Sequence, residues 1–369
     1  MGSLFREVRR RSRSRKSKES ASILVDEPTA EEYTLDYWHG FIPNEDTALI
    51  LKHDGDFLLR SLMISEKKPI CLSVREGEKV YNAVVNRTDS GAYELAGVEY
   101  NTIKDMVDEL QVRKRPIPFE DAMVVLNCPI LRKSWELRHC MITLKKRIGK
   151  GSYGSVYKGI LRKDQQALDV AVKVLSDMSP ENSLALWREA RVMQMYDHPH
   201  VVRLYGVAND TEPFYLVMEL VSGGALNDYL KKKGKLAKVS KRIQILYEAA
   251  LGIEYLHFKG CIHRDIAARN LLLDKIVKVA DFGLTRKSKS YKVDPEKPMN
   301  LRWLAPDVYH TGIVYNNVVE GSYRLSPQEM MPYEIASLFK ECLAEPSMRP
   351  SFKSIVLLLK VCLKEYEDH

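Results

Sequence analysis

No run of eighteen apolar residues occurs anywhere in this chain, and its N-terminus has no hydrophobic signal core. The expected protein therefore neither spans a bilayer nor is secreted. Cysteine is sparse and scattered: Cys71, Cys128, Cys140, Cys261, Cys342 and Cys362 include no C-x-x-C pair. That spacing speaks against a zinc site or a disulfide frame and for reduced thiols in a cytosolic chain. Acidic residues do not balance basic ones, and the net charge of +8 is concentrated at the start. Residues 1–20 hold eight Lys or Arg against Glu7 and Glu19, a local excess of +6. Such a block repels itself, so residues 1–32 are expected to be a disordered tail. Anionic lipid at the plasma membrane, RNA, a nuclear import receptor and plain solvent all suit it, and no specific nucleic-acid partner is expected. Gly2 suggests myristoylation, but Arg6 stands where the acceptor pattern needs Ser or Thr, so no lipidation is expected.

What is present begins near Tyr33, and 369 residues leave room for two or three domains with real cores. Between residues 33 and 128 the pattern alternates helix, strands, helix, as in a small α+β domain. The first helix covers Asn44 to Lys52, with Ala48, Leu49 and Leu51 as its apolar face. Strands follow at Asp56 to Arg60, Ile70 to Arg75 and Lys79 to Asn86, then a helix from Thr102 to Leu110. Arg60 alternates out of an apolar strand toward the interior, where a guanidinium needs an anion and its planar fork suits phosphate. Trp38-His39-Gly40, Gly55 to Arg60 and Leu72 to Arg75 together resemble an SH2 domain. The resemblance implies that Arg60 binds phosphotyrosine and that tyrosine-phosphorylated proteins are partners. Asn44, Asn82 and Leu62 replace donors common in that family, which predicts a weak hold on phosphate.

A linker over 129–141 carries Trp135, expected to pack on the next domain. In Cys261 to Gly283 two polar clusters follow short apolar runs and so fall on loops. Asp265, Asn270 and Asp281 are thereby held on adjoining turns as hard oxygen ligands, the kind Mg²⁺ takes beside phosphate and water. Upstream, Gly149, Gly151 and Gly154 lie between two strands and let backbone amides approach phosphate without Cβ atoms intervening. Lys173 follows Gly151 by 22 positions on an otherwise apolar strand, where it needs an anionic partner. Glu189, the single acid in the helical run Leu184 to Tyr196, is the candidate.

His263-Arg264-Asp265 through Asn270, Asp281-Phe282-Gly283, the glycine loop and the strand lysine resemble a protein kinase. Ala267 and Arg269 give the tyrosine-kinase form of the catalytic loop. With the SH2-like module and Trp135 upstream, the chain is similar to non-receptor tyrosine kinases of the Fes/Fer type over about 33–363. The implied fold is α+β: an SH2 domain, then a bilobal kinase fold over 142–363 with a β-rich small lobe and a helical large lobe. By the same resemblance Asp265, Arg269, Lys173 and Glu189 are catalytic, and Asn270 and Asp281 hold the metal. ATP would lie against Gly149, Lys150, Gly151, Ser152, Tyr153, Gly154, Val156, Ala171, Lys173, Glu219, Val221 and Leu272. Met218 would be the gatekeeper. Met193, Leu204, His263 and Phe282 would form one apolar spine, and Val156, Ala171 and Leu272 another with adenine. Implied cofactors are ATP with Mg²⁺, or Mn²⁺ in its place, and implied substrates are protein tyrosines in the cytoplasm. Tyr291, among Lys287, Lys289 and Lys292, is the expected autophosphorylation site.

The resemblance breaks after Asp307. Only 42 positions separate Asp307 from its expected partner Arg349, and the stretch that opens the family's central large-lobe helix is absent. The shortfall is roughly thirty residues, one buried helix with its connections. Near the activation segment, Asn300 stands where tyrosine kinases place a proline before Trp303. The sequence therefore predicts a large lobe lacking its central helix and a poor or inactive kinase, unless Val314 to Val319 or Ile355 to Leu363 fills the space. A phosphotyrosine-binding scaffold without catalysis is the alternative reading.

Overall fold

The computed structural model describes residues 34–62, 68–151, 154–177, 179–288 and 326–367. The basic tail, Ser152, Tyr153, Tyr291, Asn300, Trp303, Asp307 and the run Val314 to Val319 lie outside these residues.

The N-terminal domain is built on one sheet. Strands β1 (Asp56–Ser61), β2 (Ile70–Glu76), β3 (Lys79–Arg87), β4 (Tyr93–Leu95) and β5 (Val98–Tyr100) pair antiparallel in sequence order. Helices α1 (Asn44–Ile50) and α2 (Ile103–Val112) flank the sheet. Every residue of β1 is buried, because elements cover both faces of this strand. Trp38, Phe57, Leu59, Leu72, Ile103 and Met106 fill the core. Thr102 caps α2 by accepting from the Asp105 amide at 3.0 Å.

One sequence expectation fails at α1. Ala48 and Leu49 face solvent, Leu49 being 59 % exposed, while Asp46 and Thr47 are buried along with Leu51. The inward face of this short helix meets a charged helix of the other domain, so charge pairing and not apolar periodicity sets its rotation.

The linker adds a strand to each domain. Strand β6 (Cys128–Pro129) runs parallel to β1, and β7 (Glu136–Leu137) runs parallel to β11 (Leu204–Ala208) of the second domain. The second sheet comprises β8 (Ile142–Gly151), β9 (Gly154–Lys163), β10 (Gln166–Leu175), β12 (Tyr215–Glu219), β11 and β7, in that order. A Cβ on Gly154 would sit 2.1 Å from the Val174 carbonyl oxygen, so only glycine allows β9 this close to β10. Helix α3 (Pro180–Met193) packs on this sheet, with Ser179 as its N-cap and proline at its first position.

Helices α4 (Leu226–Lys233) and α5 (Val239–Phe258) open the large lobe, and the hairpin β13 (Leu271–Leu273) and β14 (Val277–Val279) follows. The C-terminal helices are α6 (Tyr333–Cys342) and α7 (Phe352–Glu367). The run Ile355 to Leu363 lies on α7, which packs along α5. Ile355, Val356, Leu359 and Cys362 close on Ile243, Ala250, Ile335 and Leu338.

The largest core cluster is shared by the two domains. Phe41 and Ile42 join Leu186, Trp187, Phe214, Leu216 and Phe282 in it, and the Phe41 and Phe214 rings are 5.4 Å apart. Polar bonds ring this contact. His39 Nδ1 lies 2.7 Å from Glu136 Oε2, His39 Nε2 lies 2.8 Å from the Ile130 carbonyl, and Asn209 donates to the His39 carbonyl at 2.8 Å. Gly40 has φ +61°, and a Cβ there would lie 2.5 Å from the Asn209 carbonyl oxygen. Trp135 meets the Trp187 ring edge-on at 5.9 Å.

Candidate active site and phosphate pocket

Lys173 comes from near the C-terminal end of β10, just past Val170 and Val172, which are fully buried. Its Nζ lies 2.6 Å from Glu189 Oε2 on α3. Burial pushes the Glu189 carboxyl up, and Lys173 opposes that shift. The pair forms only because α3 is seated against the sheet, held there by Leu186, Trp187, Ala190 and Met193.

Asp265 is buried and sits at the centre of a local network. Asn270 Nδ2 donates to Asp265 Oδ2 at 2.6 Å and to its carbonyl at 2.9 Å, and Arg269 Nη2 donates to Asp265 Oδ1. The Asn270 amino group is thus spent on Asp265, so its amide oxygen is the atom that could ligate a hard cation. His263 Nε2 donates to the Ala280 carbonyl at 3.2 Å, and Nδ1 accepts from the Asp265 amide at 3.3 Å. Burial depresses the His263 pKa, so the neutral ring with the proton on Nε2 is favoured.

Asp281 adopts φ +66°, a left-handed conformation in which Asp is among the more tolerant residues. The adjoining Phe282 is buried, 5.1 Å from the His263 ring and 6.0 Å from Tyr196. Met193 shares the Phe282 cluster and Leu204 packs against it, so the four residues of the expected apolar spine are brought together. At Gly283 a Cβ would contact both Asp281 Oδ1 (3.5 Å) and Glu189 Oε2 (3.7 Å), which places the Asp281 carboxylate beside the Lys173–Glu189 pair.

The remaining expected nucleotide contacts are arranged as follows. Gly149, Lys150 and Gly151 end β8, and Gly154 and Val156 open β9, with Gly149 opposite Val156 and Gly151 opposite Gly154. Ala171 pairs with Met218 across β10 and β12, and Glu219 ends β12. The Glu219 carboxylate turns back to Lys278 at 3.0 Å. Val221 is buried, and Leu272 on β13 packs against the shared core. This donor set fits a metal–nucleotide complex: two hard oxygens on one wall, a lysine and glycine backbone on the other.

A cavity of about 160 Å³ separates α3 from the start of the activation segment, walled by Arg188, Arg264 and Arg286 together with Glu189 and Leu284. The sequence named Arg264 alone of these arginines. Lys287, expected beside Tyr291, ends the two-residue ladder that Arg286–Lys287 forms with Cys261–Ile262. Arg349 Nε donates to the Ala344 carbonyl at 2.8 Å.

In the N-terminal domain Arg60 is 1 % exposed. Its sequence context predicts an anionic partner; the structure supplies neutral oxygens. Nε donates to Ser73 Oγ (2.8 Å), Nη1 to the Ile42 carbonyl (2.7 Å), and Nη2 to Asn82 Oδ1 (2.8 Å) and Asn44 Oδ1. Burial lowers the Arg60 pKa and lifts the neighbouring Cys71 thiol to about 11. All six cysteines are free.

Sequence reasoning missed Arg191. It leaves α3 two residues past Glu189 and pairs with Asp46 and Glu45 of α1, each at 2.9 Å. No spacing signal links residues 145 positions apart.

The family model for the SH2 domain matches residues 37–110, and that for "Protein tyrosine and serine/threonine kinase" matches residues 142–318. The tyrosine-protein kinase transforming protein Fps of avian sarcoma virus (strain PRCII) is 33 % identical, over 86 % of this chain and 66 % of its own length. Human tyrosine-protein kinase Fer is 32 % identical over 93 % of this chain and 46 % of its own. Spermatocyte protein spe-8 of Caenorhabditis elegans is 33 % identical over 79 % and 59 %. The chain thus spans about half to two thirds of the length of these relatives. Among the described residues no helix is long and apolar enough to cross a membrane. The chain belongs to the family in which an SH2 domain is followed by a protein tyrosine kinase domain, alongside the Fps and Fer kinases.

Proposed function

We propose that this chain transfers the γ-phosphoryl group of Mg²⁺-bound ATP to protein tyrosine, and that its SH2 domain brings it to tyrosine-phosphorylated proteins. The observation that carries the catalytic reading is the 2.6 Å Lys173–Glu189 pair beside Asp281. A lysine so aligned holds the α- and β-phosphates, and the glycine-bearing strands β8 and β9 close over them. Asn270 and Asp281 would hold Mg²⁺, which offsets charge on the β- and γ-phosphates when bound. Mn²⁺ suits the same two oxygens.

Asp265 orients the tyrosine hydroxyl and accepts its proton at a carboxylate oxygen. Arg269, bonded to that carboxylate, lies close enough to offset charge that develops on the transferred group. In the SH2 domain, Arg60 is the phosphotyrosine ligand. The cytoplasm suits this chemistry, and anionic membrane is the surface that the basic tail would meet there.

The test is transfer of radiolabelled phosphate to a poly-Glu-Tyr substrate by the full chain, compared with Asp265→Asn. Transfer that depends on Asp265 supports the reading. Equal incorporation by both removes Asp265 from the chemistry, and none by either refutes catalysis and leaves a phosphotyrosine-binding scaffold.

A further inference from the structure

Arg60 has only donors to offer, and both hydrogens of its Nη2 are directed at carboxamide oxygens, Asn44 Oδ1 and Asn82 Oδ1. Each asparagine must therefore present its oxygen to the guanidinium and turn its amino group away. Asn82 is held from a second side, because Ser73 Oγ donates to the same oxygen at 2.7 Å. Both asparagines are exposed residues, yet Arg60 beneath them is 1 % exposed. The amides thus lie between the cation and solvent. They come from different elements, α1 and β3, and meet over one nitrogen.

Phosphate oxygens are acceptors, and they compete for the same two N–H groups that the amide oxygens occupy. We propose that Asn44 and Asn82 form a latch that shuts the phosphate pocket in the unliganded chain, so that phosphotyrosine binds only by displacing both oxygens from Nη2. This rests on the reading of Arg60 as the phosphotyrosine ligand. A bidentate contact between guanidinium and phosphate, both charged, is stronger than the guanidinium–amide bonds it replaces, so exchange is favourable, but each binding event first opens the latch. Apparent affinity then equals intrinsic affinity scaled by the open fraction. The domain would engage densely phosphorylated or locally concentrated partners and ignore isolated phosphotyrosines, since tethering raises effective concentration without new contacts.

The experiment uses calorimetry on the full chain, with phenyl phosphate and a degenerate phosphotyrosine peptide pool beside its unphosphorylated counterpart. The chains compared are the wild type, Arg60→Ala, Asn44→Ala and the Asn44→Ala/Asn82→Ala double variant. The latch predicts weak, phosphate-dependent binding by the wild type and binding about tenfold tighter or more by the double variant. Binding should be lost in Arg60→Ala. Removing two acceptors from a buried cation should lower the double variant's Tm, and phenyl phosphate should restore it more than it raises that of the wild type. If the double variant melts below the assay temperature, Asn44→Ala alone should still bind several-fold tighter, because Asn82 and Ser73 remain in place. Wild-type preference for phosphopeptide with no gain in either variant overturns the latch and leaves Arg60 as the ligand. No preference for phosphorylated peptide in any chain overturns the phosphotyrosine reading itself.

Discussion

Arg191 joins the SH2 domain to the helix that carries Glu189: its guanidinium is 2.9 Å from Asp46 through Nη1 and 2.9 Å from Glu45 through Nη2. Asp46 is nearly buried, so this is no ordinary surface pair. Hydrogen bonds to charged groups contribute about 1.5–3 kcal/mol. Losing this one frees α3 at the end nearest the SH2 domain. Arg191→Ala is expected to lower kcat on poly-Glu-Tyr several-fold while leaving Asp265 and Asn270 in place. An unchanged kcat would show that apolar packing alone seats α3.

Lys173→Ala should be more severe. It removes the proposed phosphate ligand and strands Glu189 in a buried site, where the acid would take up a proton. Losing one preorganised electrostatic contact costs about 10²–10³ in kcat. Steady-state kinetics should show that loss, with fluorescence-monitored nucleotide binding weakened as well.

The pH dependence of stability should carry the mark of Asp46. Burial lifts its pKa from 3.8 to about 6 against the opposing pull of Arg191. Between about pH 4 and 6 the folded chain therefore holds a proton that the unfolded chain has released. Its contribution to stability is fully present below about pH 4 and is lost as pH rises through about 6. Asp46→Asn cannot titrate, so its denaturation midpoint should fall less over that interval than that of the wild type. Parallel midpoint curves would place the titration elsewhere.

Phosphate on Tyr291 would add about −2 of charge. The cavity walled by Arg188, Arg264 and Arg286 concentrates positive charge, and Arg286 stands five positions before that residue. Preincubation with ATP should raise activity in the wild type and not in Tyr291→Phe. Arg188→Ala should blunt the rise without changing basal turnover.

The sequence predicts a large lobe without its central helix, and such a lobe should have a thin margin of stability. Helix α7 supplies Ile355, Val356, Leu359 and Cys362 to the face of α5, and Leu359 is 2 % exposed. Truncating a buried leucine costs about 2–5 kcal/mol, against a usual total of about 5–15 kcal/mol. Leu359→Ala is expected to melt the large lobe first, seen as a low-temperature transition in calorimetry. Wild-type turnover should fall below the usual kinase range of about 1–100 s⁻¹. Turnover within that range would overturn the expectation of a poor kinase drawn from the gap after Asp307.

The catalytic loop was readable because it is local. Asp265, Arg269 and Asn270 lie within six residues, and their mutual bonds need only one turn of chain. Lys173 and Glu189 stand 16 positions apart, and an ionic side chain in apolar surroundings gave each away. The joint between the domains left no such trace. His39 and Glu136 are 97 positions apart and Asp46 and Arg191 145, so either pair follows only from how two folded domains dock. The α1 helix shows the cost of that blindness: its apolar residues suggested an inward face that docking turned outward. At Arg60 the need for a partner was plain, but a sequence cannot show that amide oxygens would meet it first.

Because β6 lengthens one sheet and β7 the other, the residues between Pro129 and Glu136 act as a ruler with both ends pinned in register. A single inserted residue cannot be absorbed by sliding either strand, since a one-residue slip turns its side chains to the opposite face. Cutting the chain here is no gentler. Separation leaves β6 on β1 and β7 on β11, but it uncovers the apolar contact that Phe41 and Ile42 make with Trp187 and Phe214. Each half released alone should therefore tend to self-associate, whatever the stability of its own core.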